Sequence, residues 1–122
     1  MQIATAMSDA LGQYLDLTSQ QMQLTASNMA NVDTPGYKTR GIDFEQEFAS
    51  QLSNKDGMFG LDGAQGSVQE VDGLVARPDG NNVSMDREGL QLAKTQLQFR
   101  LGEQLLKHEF ANVMSAIHMD GK

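Results

Sequence analysis

The sequence predicts a mainly α-helical fold, in which long N- and C-terminal helices pack as a coiled-coil-like hairpin with an irregular, Gly-rich, partly extended central segment. Three observations predict it. Apolar residues recur with helical spacing at both ends, a proline–glycine turn follows the first periodic stretch, and the periodicity is lost from Gly41 to Asn82. We expect one domain formed from both ends, with an N-terminal helix over residues 1–32, a turn motif and Gly-rich segment over 33–84, and a C-terminal helix over 85–122.

The first helix is predicted over residues 3–31, which contain no proline and a single glycine. Its candidate inward positions recur at steps of three and four residues: Ala4, Met7, Leu11, Leu15, Thr18, Met22, Ala26 and Met29. The pattern closes after eleven residues rather than seven, which predicts a packed helix that is nearly straight or slightly right-handed in supercoil. We interpret the methionines as adaptable core residues rather than as a metal- or peptide-binding groove.

A turn is predicted directly after this helix, at Asp33-Thr34-Pro35-Gly36-Tyr37. Pro35 disfavours helical geometry at Thr34 and fixes its own φ. Gly36 can adopt the positive φ that the third position of a type II turn requires. The chain must therefore reverse or bend at this point.

The central segment from Gly41 to Asn82 contains seven glycines and Pro78 and lacks helical periodicity. Two short alternating stretches, Ser67–Val71 and Gly73–Ala76, are candidates for edge strands joined as a hairpin across Asp72-Gly73. We expect the rest of the segment to be extended chain and loops, partly disordered in the isolated chain.

The second long helix is predicted from about Met85 to His118, with Ser84 as its N-cap and Asp86 and Glu88 near the positive end of its dipole. Helical spacing arranges its apolar residues in two stripes on roughly opposite sides. The first stripe comprises Leu90, Ala93, Leu97, Leu101 and Leu105. The second, which we call the subunit-packing stripe, comprises Leu92, Phe99, Leu106, Phe110, Val113 and Ile117. One partner helix covers a single stripe, so this helix is predicted to contact at least two neighbours.

Charge and composition exclude several classes of function. The chain has 122 residues and no cysteine, so we expect a small core without disulfide bonds. Its formal charge is −7, so it lacks the basic face that binding to nucleic acid requires. Ten acids and three bases lie between Gly41 and Glu88, so the two ends together are neutral and can approach other copies without repulsion. No apolar run approaches the roughly 20 residues of a membrane span, and no Lys or Arg precedes Lys38, so we expect no Sec-type signal.

Residues with the chemistry for a metal or catalytic site lack the required spacing. Three acids alternate and would share one face of an extended chain: Asp43, Glu45 and Glu47. They lack the closing glutamate of an EF-hand, so a solvated acidic edge is favoured over a cation site. His108 and His118 stand ten residues apart on one helix, too far to ligate one metal. Without a catalytic or nucleotide-binding motif, the sequence predicts no enzyme activity, no metal or other cofactor and no small-molecule substrate.

The stretch from Ala26 to Lys38, ASNMANVDTPGYK, resembles the signature shared by the bacterial flagellar axial proteins of the rod and hook class. Within that class, the short length, the continuation Gly41–Phe44 and the later run Gly80–Glu88 are most similar to the proximal rod proteins. Longer members carry inserted domains that 122 residues cannot hold.

The resemblance implies a structural subunit of the flagellar basal-body rod, where the rod crosses the periplasm, exported by the flagellar type III apparatus without a cleaved signal. It implies a tubular proximal rod that transmits torque and whose terminal helices enclose an export channel. The implied partners are other copies of the chain, axial proteins such as FliE and FlgC, the MS ring and the export gate. The alternative function is an export adaptor or chaperone-like helical binding module whose exposed second stripe grips a secretion substrate.

The candidate assembly motif comprises Asn28, Asn31, Thr34, Pro35, Gly36 and Tyr37. Asn31 can satisfy free carbonyls at the end of the helix, and Tyr37 offers a large ring as an anchor against a neighbouring helix. Asn28 lies one turn before Asn31 and could bridge between subunits. The alternative is a plain helix stop without an intersubunit role.

Overall fold

The computed structural model describes residues 6–53 and 66–120 as three helices and a two-stranded sheet. In chain order the elements are α1 (Ala6–Ala30), β1 (Arg40–Gly41), α2 (Phe44–Ser53), β2 (Gln69–Glu70) and α3 (Met85–Asp120). The long helices α1 and α3 lie side by side and antiparallel, because Glu88 contacts Asn28 near one end and Gly102 contacts Leu15 further along. The predicted mainly α-helical fold with a terminal helix pair is therefore confirmed. Ala4, predicted to face inward, lies outside the described residues.

Small and polar side chains line the seam between α1 and α3. Thr18, Thr25 and Thr95 are fully buried along the pair. The hydroxyl of Thr18 donates to the carbonyl of Leu15 at 2.8 Å, and that of Thr95 donates to the carbonyl of Gln91 at 2.8 Å. Because these hydroxyls are satisfied within their own helices, they can be buried without a polar partner across the seam.

The row of inward positions predicted for α1 is only partly correct. Thr18 is buried as expected, but Met7 is 58% exposed and Ala26 is exposed. Four further members of the row are half-buried: Leu11, Leu15, Met22 and Met29. The row is therefore not the buried face of α1, whose fully buried side chains are those of Leu17, Thr18 and Thr25.

Gly102 marks a close approach of the two helices. A Cβ atom added there would lie 2.9 Å from Cδ2 of Leu15 and 2.9 Å from Cδ1 of Tyr14. The Tyr14 ring is held edge-on against Phe44 and Phe48, with centroid distances of 5.1 and 5.7 Å. Because this ring cannot easily move aside, a residue without a side chain is needed at position 102.

The helix α2 corrects the expectation of extended chain around Asp43, Glu45 and Glu47. Asp43 caps this helix, because its Oδ1 accepts from the backbone N–H of Gln46 at 3.2 Å and its carbonyl accepts from the N–H of Glu47 at 3.0 Å. The two glutamates then lie in the first turn, where the helix dipole stabilises negative charge. Phe44 and Phe48 are four residues apart and pack on the same ring of α1.

The predicted hairpin between Ser67–Val71 and Gly73–Ala76 is wrong, although the chain does turn at Asp72-Gly73, where Gly73 has a φ of +80°. Strand β2 instead pairs antiparallel with β1, with Arg40 opposite Glu70 and Gly41 opposite Gln69. The reason is that Gln20 of α1 binds the backbone of Gly66, which holds the chain close to β1.

Gly66 anchors the returning chain to α1. The side-chain amide of Gln20 donates to the carbonyl of Gly66 at 3.0 Å and accepts from its N–H at 2.7 Å. A Cβ atom at this position would lie 3.1 Å from Cδ2 of Leu17, so the backbone approaches α1 closely and a larger residue would have to displace the Leu17 side chain. These contacts fix where β2 begins.

The predicted start of the C-terminal helix is confirmed. The Oγ of Ser84 accepts from the N–H of Arg87 at 3.3 Å, and its carbonyl accepts from the N–H of Glu88 at 2.9 Å. Ser84 is therefore the N-cap of α3.

The apolar core of the described chain is small. Within residues 6–53 and 66–120, the apolar side chains classed as buried are those of Leu17 and Val83. Twelve large apolar side chains in the same ranges are exposed, most of them on α3. None of the described helices combines the length and the apolar character needed to cross a membrane. The isolated chain thus presents much of its apolar surface to solvent.

We expect Gly102→Leu to lower the free energy of unfolding by about 1 to 3 kcal/mol, because the new side chain overlaps Tyr14 and Leu15. The control is Gly89→Leu in the same helix, where a Cβ atom meets nothing within 4 Å and the gain in helix propensity is worth up to roughly 1 kcal/mol. Urea denaturation followed by circular dichroism measures both. Equal effects of the two substitutions would contradict the close approach at Gly102.

Candidate assembly interface

The Asn28 side chain lies at the junction of α1, β1 and α3 and is 1% exposed. Its Oδ1 accepts from the backbone N–H of Arg40 at 3.0 Å and from the hydroxyl of Tyr37 at 3.1 Å. Its Nδ2 donates to the carbonyl of Arg40 at 2.8 Å and to Oε2 of Glu88 at 3.2 Å. All four hydrogen bonds of the amide are formed within the chain. A bridge from Asn28 to another subunit stays a prediction.

Glu88 contributes a fully buried carboxylate to this junction. Its Oε1 lies 2.7 Å from Nη1 of Arg87, and its other oxygen accepts from Asn28. A buried carboxylate is tolerated only when it is paired and hydrogen-bonded, and both oxygens meet that condition here. We call Asn28, Tyr37, Arg40, Arg87 and Glu88 the Asn28 network.

A second buried asparagine, Asn81, ties the end of α1 to the segment that precedes α3. Its Nδ2 donates to the carbonyls of Asn31 at 2.9 Å and Thr34 at 2.8 Å, and its Oδ1 accepts from the N–H of Val83 at 2.8 Å. Asn81 was not among the predicted site residues. Its signal was the Gly80-Asn81-Asn82 run, where a glycine with a φ of +89° turns the chain toward the motif.

The predicted type II turn at Pro35-Gly36 is confirmed. Gly36 has a φ of +75°, and the N–H of Tyr37 donates to the carbonyl of Thr34 at 3.2 Å. The N–H of Gly36 also donates to the carbonyl of Asp79 at 2.9 Å, so the turn packs directly on the segment before α3.

The assembly motif thus has an inner and an outer part. Asn28 is buried and Tyr37 is half-buried, with its hydroxyl on Asn28. Asn31 donates from Nδ2 to the carbonyl of Ser27 at 2.8 Å, in agreement with its predicted use at the helix end. Thr34, Pro35 and Gly36 are exposed at the tip. The exposed tip is available to a neighbour, and its role in assembly stays a prediction.

The two stripes of α3 differ in exposure. In the subunit-packing stripe, Phe110 and Ile117 are each 44% exposed, and the other members are half-buried: Leu92, Phe99, Leu106 and Val113. The leucines of the first stripe are more exposed: Leu90 at 74%, Leu97 at 69%, Leu101 at 55% and Leu105 at 47%. Each side of α3 therefore retains apolar surface that can be buried by another chain.

The described residues do not assemble a metal site. No group of three or more His, Asp or Glu side chains in residues 6–53 and 66–120 could hold an ion. His108 and His118 lie exposed on α3.

Comparison with known proteins identifies the family. The family model described as flagella basal body rod protein matches residues 15–38, which contain the assembly motif. The flagellar basal body rod protein FlgB of Cereibacter sphaeroides is 32% identical, over 93% of this chain and 97% of its own length. FlgB of Salmonella typhimurium is 31% identical, over 84% of this chain and 86% of its own length.

The chain belongs to the FlgB family. FlgB of Borrelia hermsii is also similar, at 30% identity over 86% of this chain and 90% of its own length. The predicted resemblance to the rod and hook class is therefore confirmed, and the chain is a structural subunit of the flagellar basal-body rod.

We expect Asn28→Ala to lower the free energy of unfolding by roughly 3 to 5 kcal/mol, because it leaves the Glu88 carboxylate and the Arg40 backbone without their buried partners. Asn31→Ala is the control. The Asn31 side chain donates its hydrogen bond at an exposed position, so we expect this substitution to lower the free energy of unfolding by only about 1 kcal/mol. Urea titrations of the two variants measure the difference. If both variants unfold at the same midpoint, the Asn28 network does not hold the helix pair together.

Proposed function

We propose that this rod subunit assembles into the tubular proximal rod, with α1 and α3 packed among neighbouring copies around an export channel and the rod transmitting torque. The observation that carries the proposal is the apolar surface on both sides of α3, from Leu90 at 74% exposure to Ile117 at 44%. A soluble single chain gains nothing from two such surfaces, whereas a subunit surrounded by copies buries both.

The partners that we propose beyond copies of the chain are FliE, FlgC, the MS ring and the export gate. Membership in a family of rod proteins supports assembly with other axial proteins. The exposed tip of the assembly motif and the subunit-packing stripe are the surfaces that we assign to these contacts, with Pro35 and Phe110 as representative residues.

We also propose that the chain reaches the periplasmic rod through the flagellar type III apparatus. A small apolar core around Leu17 and Val83 supports this route, because such a core opens at low cost before passage through a narrow channel. The terminal regions 1–32 and 85–122 then pair again, and residues 33–84 close the single domain between them.

The proposed role predicts that Phe110→Asp prevents assembly without preventing export. Phe110 is 44% exposed on the subunit-packing stripe, so the charge is tolerated in the monomer but becomes buried in a subunit contact. Gln96→Asp, at an exposed position between the two stripes of α3, is the matched control. Soft-agar motility, electron microscopy of basal bodies and immunoblots of exported protein measure the result. Complete rods and normal motility with Phe110→Asp would show that this stripe has no role in assembly.

Hydrogen exchange separates the rod subunit from an export adaptor or chaperone-like module. We expect weaker protection across residues 85–118 in the isolated chain than in rods, because the apolar surfaces of α3 have fewer partners there to offset roughly 1 to 2 kcal/mol of ordering entropy per residue. Protection should rise when the chain is incorporated into rods. Strong protection of this helix before any partner is added would contradict the proposal and favour the adaptor.

A further inference from the structure

The sequence contains five Asp-Gly pairs, and two of them, Asp72-Gly73 and Asp79-Gly80, lie within the described residues. The other three begin at positions 56, 62 and 120 and extend outside those residues. An Asp-Gly pair can isomerise without an enzyme, because glycine has no side chain to hinder the approach of its backbone nitrogen to the aspartate carboxyl carbon. The two described pairs consist of the same residues and differ in the contacts that the fold gives them.

The isomerisation of an Asp-Gly pair requires no reactant other than water. The glycine nitrogen attacks Cγ of the aspartic acid and forms an N–Cγ bond, while the Cγ–O bond breaks and the hydroxyl leaves with the amide proton as water. A second water molecule then opens the cyclic succinimide. Opening at Cγ restores aspartate, and opening at the backbone carbonyl gives isoaspartate, whose main chain runs through Cβ and Cγ. The reaction therefore needs a carboxyl group and a glycine N–H that are both free to leave their positions.

Hydrogen bonds hold both reacting groups of Asp79-Gly80. Oδ1 of Asp79 accepts from the N–H of Asn81 at 3.0 Å and lies 3.7 Å from Nε of Arg77. The N–H of Gly80 donates to the carbonyl of Arg77 at 2.8 Å. The carbonyl of Asp79 also accepts from the N–H of Gly36 at 2.9 Å, so the turn of the assembly motif fixes this backbone. Closure of the succinimide ring at Asp79 must first break hydrogen bonds of the folded chain.

The reacting groups of Asp72-Gly73 are not held in this way. Asp72 and Gly73 are both exposed, and within residues 6–53 and 66–120 neither the Asp72 carboxylate nor the Gly73 N–H forms a hydrogen bond. A Cβ atom added at Gly73 would meet nothing within 4 Å. The turn at Asp72-Gly73 can therefore change its backbone conformation without losing a hydrogen bond or a close contact.

We infer that Asp72-Gly73 is a site of spontaneous isoaspartate formation in the folded chain, and that the contacts around Asp79-Gly80 protect the second pair. Isoaspartate adds one atom to the main chain. At position 72 that atom enters an exposed turn, whereas at position 79 it would displace Asn81, whose amide holds the end of α1. The inference concerns the single chain and does not depend on the proposed assembly.

Ageing of the purified full chain tests the inference. The chain is kept at neutral pH in buffer and, in parallel, in guanidinium chloride. Cleavage after Glu70 and Glu88 releases one peptide that carries both pairs, and electron-transfer fragmentation assigns isoaspartate to either position. In the folded chain we expect isoaspartate to form about tenfold faster at Asp72 than at Asp79, which corresponds to about 1.4 kcal/mol, the order of one hydrogen bond. In guanidinium chloride the two rates should become equal.

Two variants complete the test. Asp72→Glu should remove the signal at position 72 and leave the rate at Asp79 unchanged, because glutamate would have to close a larger ring. Asn81→Ala should raise the rate at Asp79 and leave that at Asp72 unchanged, with circular dichroism showing that the helices persist. Equal rates at the two positions of the folded chain would overturn the inference. A tenfold difference that persists in guanidinium chloride would also overturn it, because the local sequence rather than the fold would then set the rates.

Discussion

The buried amide of Asn28 is the interaction on which the rest of the structure depends. It joins the last turn of α1 to the backbone of β1 and to the first turn of α3 through four hydrogen bonds. These three elements are separated by up to 60 residues in sequence, and residues 6–53 and 66–120 form no large apolar core that would hold them together. A buried amide or carboxylate without its hydrogen-bond partners destabilises the folded state. The Asn28 network therefore favours a single arrangement of the helix ends.

The network also explains why the seam between the long helices can be narrow and polar. With one end of the pair fixed at Asn28 and Glu88, threonines whose hydroxyls bond within their own helix can be buried along it. Further along, Tyr14 and Leu15 pack against Gly102. Leu11, Met22 and Met29 of α1 are only half-buried. A subunit built in this way is held together largely by hydrogen bonds and leaves large apolar side chains of α3 exposed.

Local signals in the sequence were sufficient to predict the two long helices, the turn after α1 and the N-cap of α3. Pro35 and Gly36 specify a type II turn by their φ preferences, and Ser84 caps α3 through a hydroxyl three residues before the amide that it binds. The short helix α2 was missed because its alternating acids match an extended segment as well as a first helical turn. Its cap Asp43 was the available signal.

Other features depend on contacts between distant residues. The pairing of β1 with β2 follows from the hydrogen bonds between Gln20 and Gly66. These two residues are 46 positions apart, so no local sequence pattern predicts the strand pairing. The packing of Tyr14 and Leu15 against Gly102 likewise joins residues that are distant in sequence and is a property of the helix pair. Asn28 was recognised as important, but its partners could be assigned only after the fold placed Glu88 beside it.

The positions of the two tyrosines give the chain an intrinsic optical probe of its own assembly. The sequence contains two tyrosines and no tryptophan, so its near-ultraviolet absorption is dominated by these rings. Tyr37 lies in the Asn28 network at one end of the seam, and Tyr14 lies further along it, among Phe44, Phe48 and Gly102. Burial raises the pKa of the Tyr14 phenol above its ordinary value. Substituting either tyrosine by phenylalanine leaves the other as a label-free spectroscopic reporter, so the closing of the helix pair can be followed separately at two points.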